Sequence, residues 1–271
     1  MNRFAALVAA LTIVVGGCAR ALGPVDADSP LGSANRAEAD PDAAGVLMRA
    51  AETAFAQRPD LARAREAERL WLQAAVADAT DTEPIIGAVR AQVWLAENDP
   101  DEERRRKTAT ESVSTAQWCS RRDPSDPTCS YWLALAVGVQ ANQRRATADD
   151  GLEVMVRALH RAIERDERTD HAGPHRVLAL VLLRAPGWPT GPGDPDTGLT
   201  HAERAVALFP DFAPNWLALG EAWRDTDQPM RSLAAYRCAL QAAAAQAGHP
   251  EARGWTEEAQ VALGGNAAGS C

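Results

Sequence analysis

The stretch NWLALGEAW, residues 215–223, decides how this chain is read. It puts Trp216, Leu219, Gly220 and Trp223 on one face of a helix, at the i, i+3, i+4, i+7 spacing. Continuing in the same register, Ser232, Tyr236 and Ala239 fall at a small-x3-aromatic-x2-small spacing that suits a second helix. The reason for these residue types is steric. Small residues let two helices approach closely, large ones wedge into the gaps, and each pair leaves a face that only a neighbouring pair can bury.

The same register recurs towards the N-terminus. HAERAVALFPDF (201–212) places Ala202, Ala205 and Pro210 where a second helix should end, with Ala213 opening the next unit. LHRAIERDERTD (159–170) does so with Leu159 and Ala162, and YWLALAVGV (131–139) is its first helix, opened by Trp132. CSRRDP (119–124) closes an earlier unit, and Ala67, Trp71 and Ala74 repeat the small-aromatic-small spacing. Asp101, Glu102 and Glu103 after Asp99-Pro100 read as a helix start, with acids at the positive end of the helix dipole.

This is the tetratricopeptide (TPR) pattern. It predicts an all-α, TPR-like α-solenoid of five helix pairs, near 43–80, 83–123, 127–167, 171–209 and 213–246, plus a C-terminal capping helix near 250–263. The repeat domain is then 43–263, and GGNAAGSC (264–271) reads as a disordered tail.

Ahead of the repeats, Arg3, the apolar run Phe4 to Val15 and Val15-Gly16-Gly17-Cys18 form a lipoprotein signal peptide with a lipobox over 1–18. Cys18 is the predicted lipidation site. The competing reading is an ordinary signal peptide cleaved near Ala19 to Ala21. Residues 19–42, rich in Ala, Asp, Gly, Pro and Ser, read as a flexible tether. The expected location is the periplasmic side of a bacterial membrane, with contact through the N-terminal lipid only. Ala19 and Arg20, where an Asp would signal inner-membrane retention, favour the outer membrane.

A net charge of -9 argues against a nucleic-acid partner, because such binding needs basic surface. In an oxidising compartment the cysteines default to disulfides. Cys119 and Cys129 lie across a tight inter-repeat turn and are expected to pair, two separate buried thiols being the alternative. Cys238 and Cys271 can pair only if the tail folds back.

Four of the five histidines, His160, His171, His175 and His201, fall beside Asp170, Asp194 and Asp196. His171 and His175 have the spacing of a metal pair, but Gly173-Pro174 lies between them and starts the helix. No metal site, cofactor or catalytic constellation is expected, and the chain does not read as an enzyme. The basic run Arg104 to Lys107 spreads around a helix and reads as a solvated face.

LLRAPGWPTGPGDPDTGL (182–199) interrupts one unit between its two helices, with prolines at 186, 189, 192 and 195. It makes the connection roughly seven residues longer than the standard repeat. Asp194 can cap the next helix and Pro195 suits its first turn. The proline spacing predicts an extended, stiff, polyproline-like segment. Trp188, between Gly187 and Pro189, either lines a pocket or partner surface or plugs its own repeat.

CSYWLALAVG (129–138), GLEVMVRAL (151–159) and DHAGPHRVLALVLLRAPGWPTGPGDPDTGLTHAERAVALFPDFAPNWLALGEA (170–222) together resemble the T-components of TRAP transporters, or a close side branch of them. The resemblance covers about 110–245. It implies a periplasmic TPR lipoprotein that docks a TRAP-type solute-binding protein and can pass small organic or hydrophobic ligands through a central opening. Its motif residues here are Gly173, Pro174, Arg184, Ala185, Pro186 and Gly187, with Cys18 as anchor. The alternative is a general envelope assembly scaffold, for a pilus or outer-membrane complex, with protein clients only.

Overall fold

Aspartates begin the helices. The computed structural model describes residues 20–25, 31, 40–264 and 271, so Cys18 and the signal peptide lie outside the described residues. In it Asp40, Asp60, Asp101, Asp126 and Asp194 each accept a backbone N–H of the following first turn, at 2.7–3.1 Å. Proline follows three of them directly, at 41, 127 and 195, where a missing N–H costs the helix nothing.

Eleven helices result among the described residues: α1 Pro41–Phe55, α2 Leu61–Ala77, α3 Glu83–Asn98, α4 Glu102–Arg122, α5 Pro127–Gln143, α6 Ala148–Asp166, α7 Thr169–Arg184, α8 Pro195–Leu208, α9 Ala213–Asp225, α10 Pro229–Ala245 and α11 Ala252–Leu263. A short 3-10 turn, Arg145–Thr147, precedes α6. Consecutive helices pack as antiparallel pairs, and α3, α5, α7, α9 and α11 also touch in series. The odd helices therefore form the inner side of the superhelix and the even helices the outer side. This is the predicted solenoid of five pairs and a cap, starting two residues earlier than expected.

Glycines mark the tightest crossings. A Cβ on Gly220 of α9 would stand 2.8 Å from the Tyr236 ring of α10, and one on Gly87 of α3 would stand 2.5 Å from the Trp71 indole of α2. Ala67, Ala74, Ala202, Ala205 and Ala239 are fully buried at the predicted small positions.

Both cysteine pairs are joined. Cys119, near the end of α4, is bonded to Cys129 in the first turn of α5, and Cys238 of α10 is bonded to Cys271. The reading of 264–271 as a disordered tail is corrected at its end, since the last residue is tied covalently to the tenth helix.

Another departure concerns the tether. Ala21 and Leu31 are buried in the central core cluster, and Leu22 and Val25 pack against it. The Ala21 N–H donates to Asp150 Oδ2 at 2.6 Å, and Gln117 Nε2 donates to the Gly23 carbonyl at 3.3 Å. Residues 20–25 thus lie on α4 and α6 rather than free. Polar composition suggested a flexible segment, but three apolar side chains, Ala21, Leu22 and Val25, and two hydrogen bonds to its backbone hold it down.

The proline segment is not extended either. Gly187 and Gly193 form an isolated parallel bridge, the Gly193 N–H donates to the Pro186 carbonyl at 2.8 Å, and the Asp194 N–H reaches Leu182 O at 2.9 Å. Cβ atoms on Gly191 or Gly193 would collide with the Pro186 carbonyl. The glycines permit a chain reversal that the proline spacing alone would oppose, so the segment closes on itself.

Candidate functional site

The odd helices curve far enough to bring the ends of the array together. Arg58, after α1, donates to Glu251, before α11, at 3.4 Å across 193 positions of sequence. Between them lies a cavity of about 580 Å3, bordered by α1, α3, α5, the start of α7, the start of α9 and α11. That volume is within the range of small-molecule sites.

Its wall is aromatic. Phe55, Trp94, Tyr131, Trp132, Phe212 and Trp255 all border it, each from an odd helix or the turn before one. His249 stacks on Trp255 at 4.4 Å, and Phe212 meets Trp255 edge-on at 5.4 Å.

Charged groups complete the lining, most of them in pairs. Arg90 bonds Glu52 at 2.6 Å, Arg176 bonds Asp170 at 3.1 Å, and Arg58 bonds Glu251. The three guanidinium groups also cover ring faces: Arg58 and Arg90 lie 4.2 and 5.0 Å from the Phe55 centroid, and Arg176 lies 5.1 Å from that of Phe212. Glu97 has no hydrogen-bond or ion-pair partner among the described residues. Burial pushes its carboxyl above the usual carboxylate range, and the charge of Glu251 adds to this. The side chain is open to the cavity, yet the surrounding wall displaces much of the water that would solvate it.

One wall is strained. Asp170, His171 and Ala172 have φ of 48°, 55° and 61°, so three successive non-glycine residues sit in the left-handed region before the true start of α7 at Gly173-Pro174. Surrounding bonds hold them there. Asp170 accepts the Tyr131 hydroxyl at 2.6 Å, and His171 stacks on Phe212 at 4.4 Å. Asn215 Nδ2 donates to the His171 carbonyl at 3.1 Å, and Arg176 donates to the Asn215 side-chain oxygen at 3.0 Å. A Cβ on Gly173 would stand 2.6 Å from the Tyr131 ring, so the Gly-Pro step is the contact that seats this tyrosine.

The residues singled out from sequence separate into two places. Gly173 and Pro174 back the cavity wall. Arg184 ends α7, and Pro186, Gly187, Trp188 and Asp194 belong to the loop after it, none of the five bordering the cavity. Arg184 makes a two-bond pair with Glu221, at 2.7 and 2.6 Å, and Asp194 caps α8. Trp188 is 90% exposed, which rules out the plug reading. His175 and His201 are not paired with His171 at all. Their Nδ1 atoms are 2.8 Å apart, His175 Nε2 lies 3.2 Å from Glu167, and Arg204 holds Glu167 in turn.

Sequence reading named Trp132, as the opening of a helix, and Asp170, beside the histidines, but placed neither at a cavity and missed the other lining residues. The one available signal was that Trp94 and Glu97 stand three apart, hence on the same helical face. Nothing local announced that this face was the inner one.

A curved array of helical hairpins, with a concave inner face and one exposed aromatic loop, defines a TPR-like α-solenoid. In overall structure it is similar to TTC0263, a thermophilic TPR protein in Thermus thermophilus, with a TM-score of 0.61 and 20% identity over 82% of this chain and 99% of that one. Two structures of MamA also align, with TM-scores of 0.47 and 0.46, each at 15% identity, over 77% and 69% of this chain and 96% and 93% of theirs. No protein-family model and no curated protein matches the sequence.

Proposed function

We propose that this chain is a non-catalytic docking component of the bacterial envelope, anchored through lipid at Cys18 and presenting the Trp188 loop to a protein partner outside the cytoplasm. One observation carries the reading. A large aromatic side chain stands almost fully in solvent on a loop closed by its own backbone bonds. An exposed ring on a pre-ordered support is the usual anchor of a protein interface, because little conformational freedom is lost on binding.

Two disulfides suit an oxidising compartment. No helix among the described residues is long and apolar enough to cross a membrane. The TPR-like fold supports protein partners generally, and the T-component resemblance points to a TRAP-type solute-binding protein.

A photo-reactive amino acid at position 188, activated in membranes of the native host and followed by mass spectrometry, tests this. The expected product is a cross-link to a solute-binding protein, with co-purification of that protein lost in Trp188→Ala. Recovery of pilus or outer-membrane assembly proteins supports the scaffold reading instead. No specific cross-link at 188 removes the docking proposal.

A further inference from the structure

The inner cavity carries an unbalanced set of charges. Seven Arg, Asp and Glu side chains border it, and six of them are matched as Arg58 with Glu251, Arg90 with Glu52 and Arg176 with Asp170. The seventh, Glu97, is left with no counter-ion among the described residues. Glu97 is open to the solvent that fills the cavity, so its carboxylate is accessible to a cation that enters there.

The aromatic rings show a matching asymmetry. The faces of Phe55 and Phe212 already carry guanidinium groups. Trp94 and Trp132 carry none among the described residues, although both border the cavity and indole is the best ring for holding a cation. Trp94 stands one helical turn before Glu97 on α3, so ring and carboxylate share a face.

We propose that this cavity binds a small organic cation, an amine or quaternary ammonium compound, with its charge beside Glu97 and its apolar groups against Trp94 and Trp132. An anion would find the three arginines already neutralised and would meet Glu97 as a like charge. A neutral apolar ligand would bury Glu97 without satisfying it. A cation supplies the missing charge and can lie against Trp94 and Trp132, on which no guanidinium is stacked among the described residues. The site is separate from the Trp188 loop, and the proposal does not depend on protein docking there.

The test is calorimetric titration of the mature chain with choline, benzyltrimethylammonium and phenethylamine. The choline isosteres 3,3-dimethylbutan-1-ol, which is neutral, and 3,3-dimethylbutanoate, which is anionic, serve as controls. At least one cation should bind saturably at one site, and choline should bind at least about tenfold more tightly than either isostere. Glu97→Gln should weaken cation binding by at least about tenfold while leaving any binding of the alcohol unchanged. Trp132→Leu should weaken it as well, with circular dichroism confirming that both variants fold. The proposal is overturned if no cation saturates in the millimolar range, if the alcohol or the anion binds as tightly as choline, or if Glu97→Gln binds cations like the parent chain.

Discussion

Arg58 and Glu251 meet at 3.4 Å although 193 positions separate them, which makes the first helix pair a neighbour of the capping helix. Replacing both by cysteine should allow a short bis-maleimide to cross-link the chain internally, Cys119, Cys129, Cys238 and Cys271 being occupied in disulfides and Cys18 replaced by Ser for the experiment. An open solenoid would give no such product on a denaturing gel. Glu251→Gln alone should change unfolding free energy by no more than about 1 kcal/mol, since an ion pair with an exposed carboxylate contributes little.

Gly220→Ala should destabilise the protein despite the better helix propensity of alanine. The new Cβ would lie 2.8 Å from the Tyr236 ring, and Ser232 Oγ already donates to the Gly220 carbonyl at 2.7 Å, so α9 and α10 cannot easily part. A cost of about 1–3 kcal/mol is expected, measured by urea denaturation.

Opening the Cys119–Cys129 disulfide should also be costly. The bond closes a loop of sequence separation 10 between α4 and α5. Cys119→Ala/Cys129→Ala should lose about 2–3 kcal/mol of stability, mainly through the greater freedom of the unfolded chain. Equal denaturation midpoints for the parent and the double variant would contradict this.

Acid should weaken the fold through its buried histidines. Burial, with His175 and His160 nearby, lowers the His201 pKa to about 4, and burial lowers that of His175. Between about 6.5 and 4 the unfolded chain binds more protons than the folded one, so stability falls as pH drops through that window and is fully present above it. Glu68, Glu97 and Glu258, whose carboxyls are raised by burial, work in the opposite sense. The histidine share is therefore isolated by comparison: His201→Gln should lose about 1–2 kcal/mol less than the parent between pH 7 and 4.5.

Trp188→Ala should leave stability within about 0.5 kcal/mol of the parent, because the ring is 90% exposed. Its loss should be visible as reduced red-shifted tryptophan fluorescence. A larger destabilisation would mean that the ring packs against something in solution.

Much of the architecture was legible along the chain because repeat signals are local. The Trp216-to-Ala239 register, the helix starts at Asp101 and Asp194 and the small residues at helix crossings each act within one hairpin, so spacing alone placed the helix pairs within a few residues. The Asp194-Pro195 start of α8 and the helix start at Gly173-Pro174 were legible for the same reason. The loop at 185–194 was located correctly but given the wrong shape, since its reversal depends on glycines fitting against carbonyls of the same segment.

The inner site could be read only from the tertiary structure. Each hairpin adds a small rotation relative to the last, and it is their sum that carries Glu251 to Arg58 and encloses the cavity. Which carboxylates find a partner follows from that closure: Glu52 meets Arg90 across 38 positions, while Glu97 meets no one among the described residues. Local spacing specifies the helices and their pairing. The curvature accumulated over five pairs decides which of their faces become a wall.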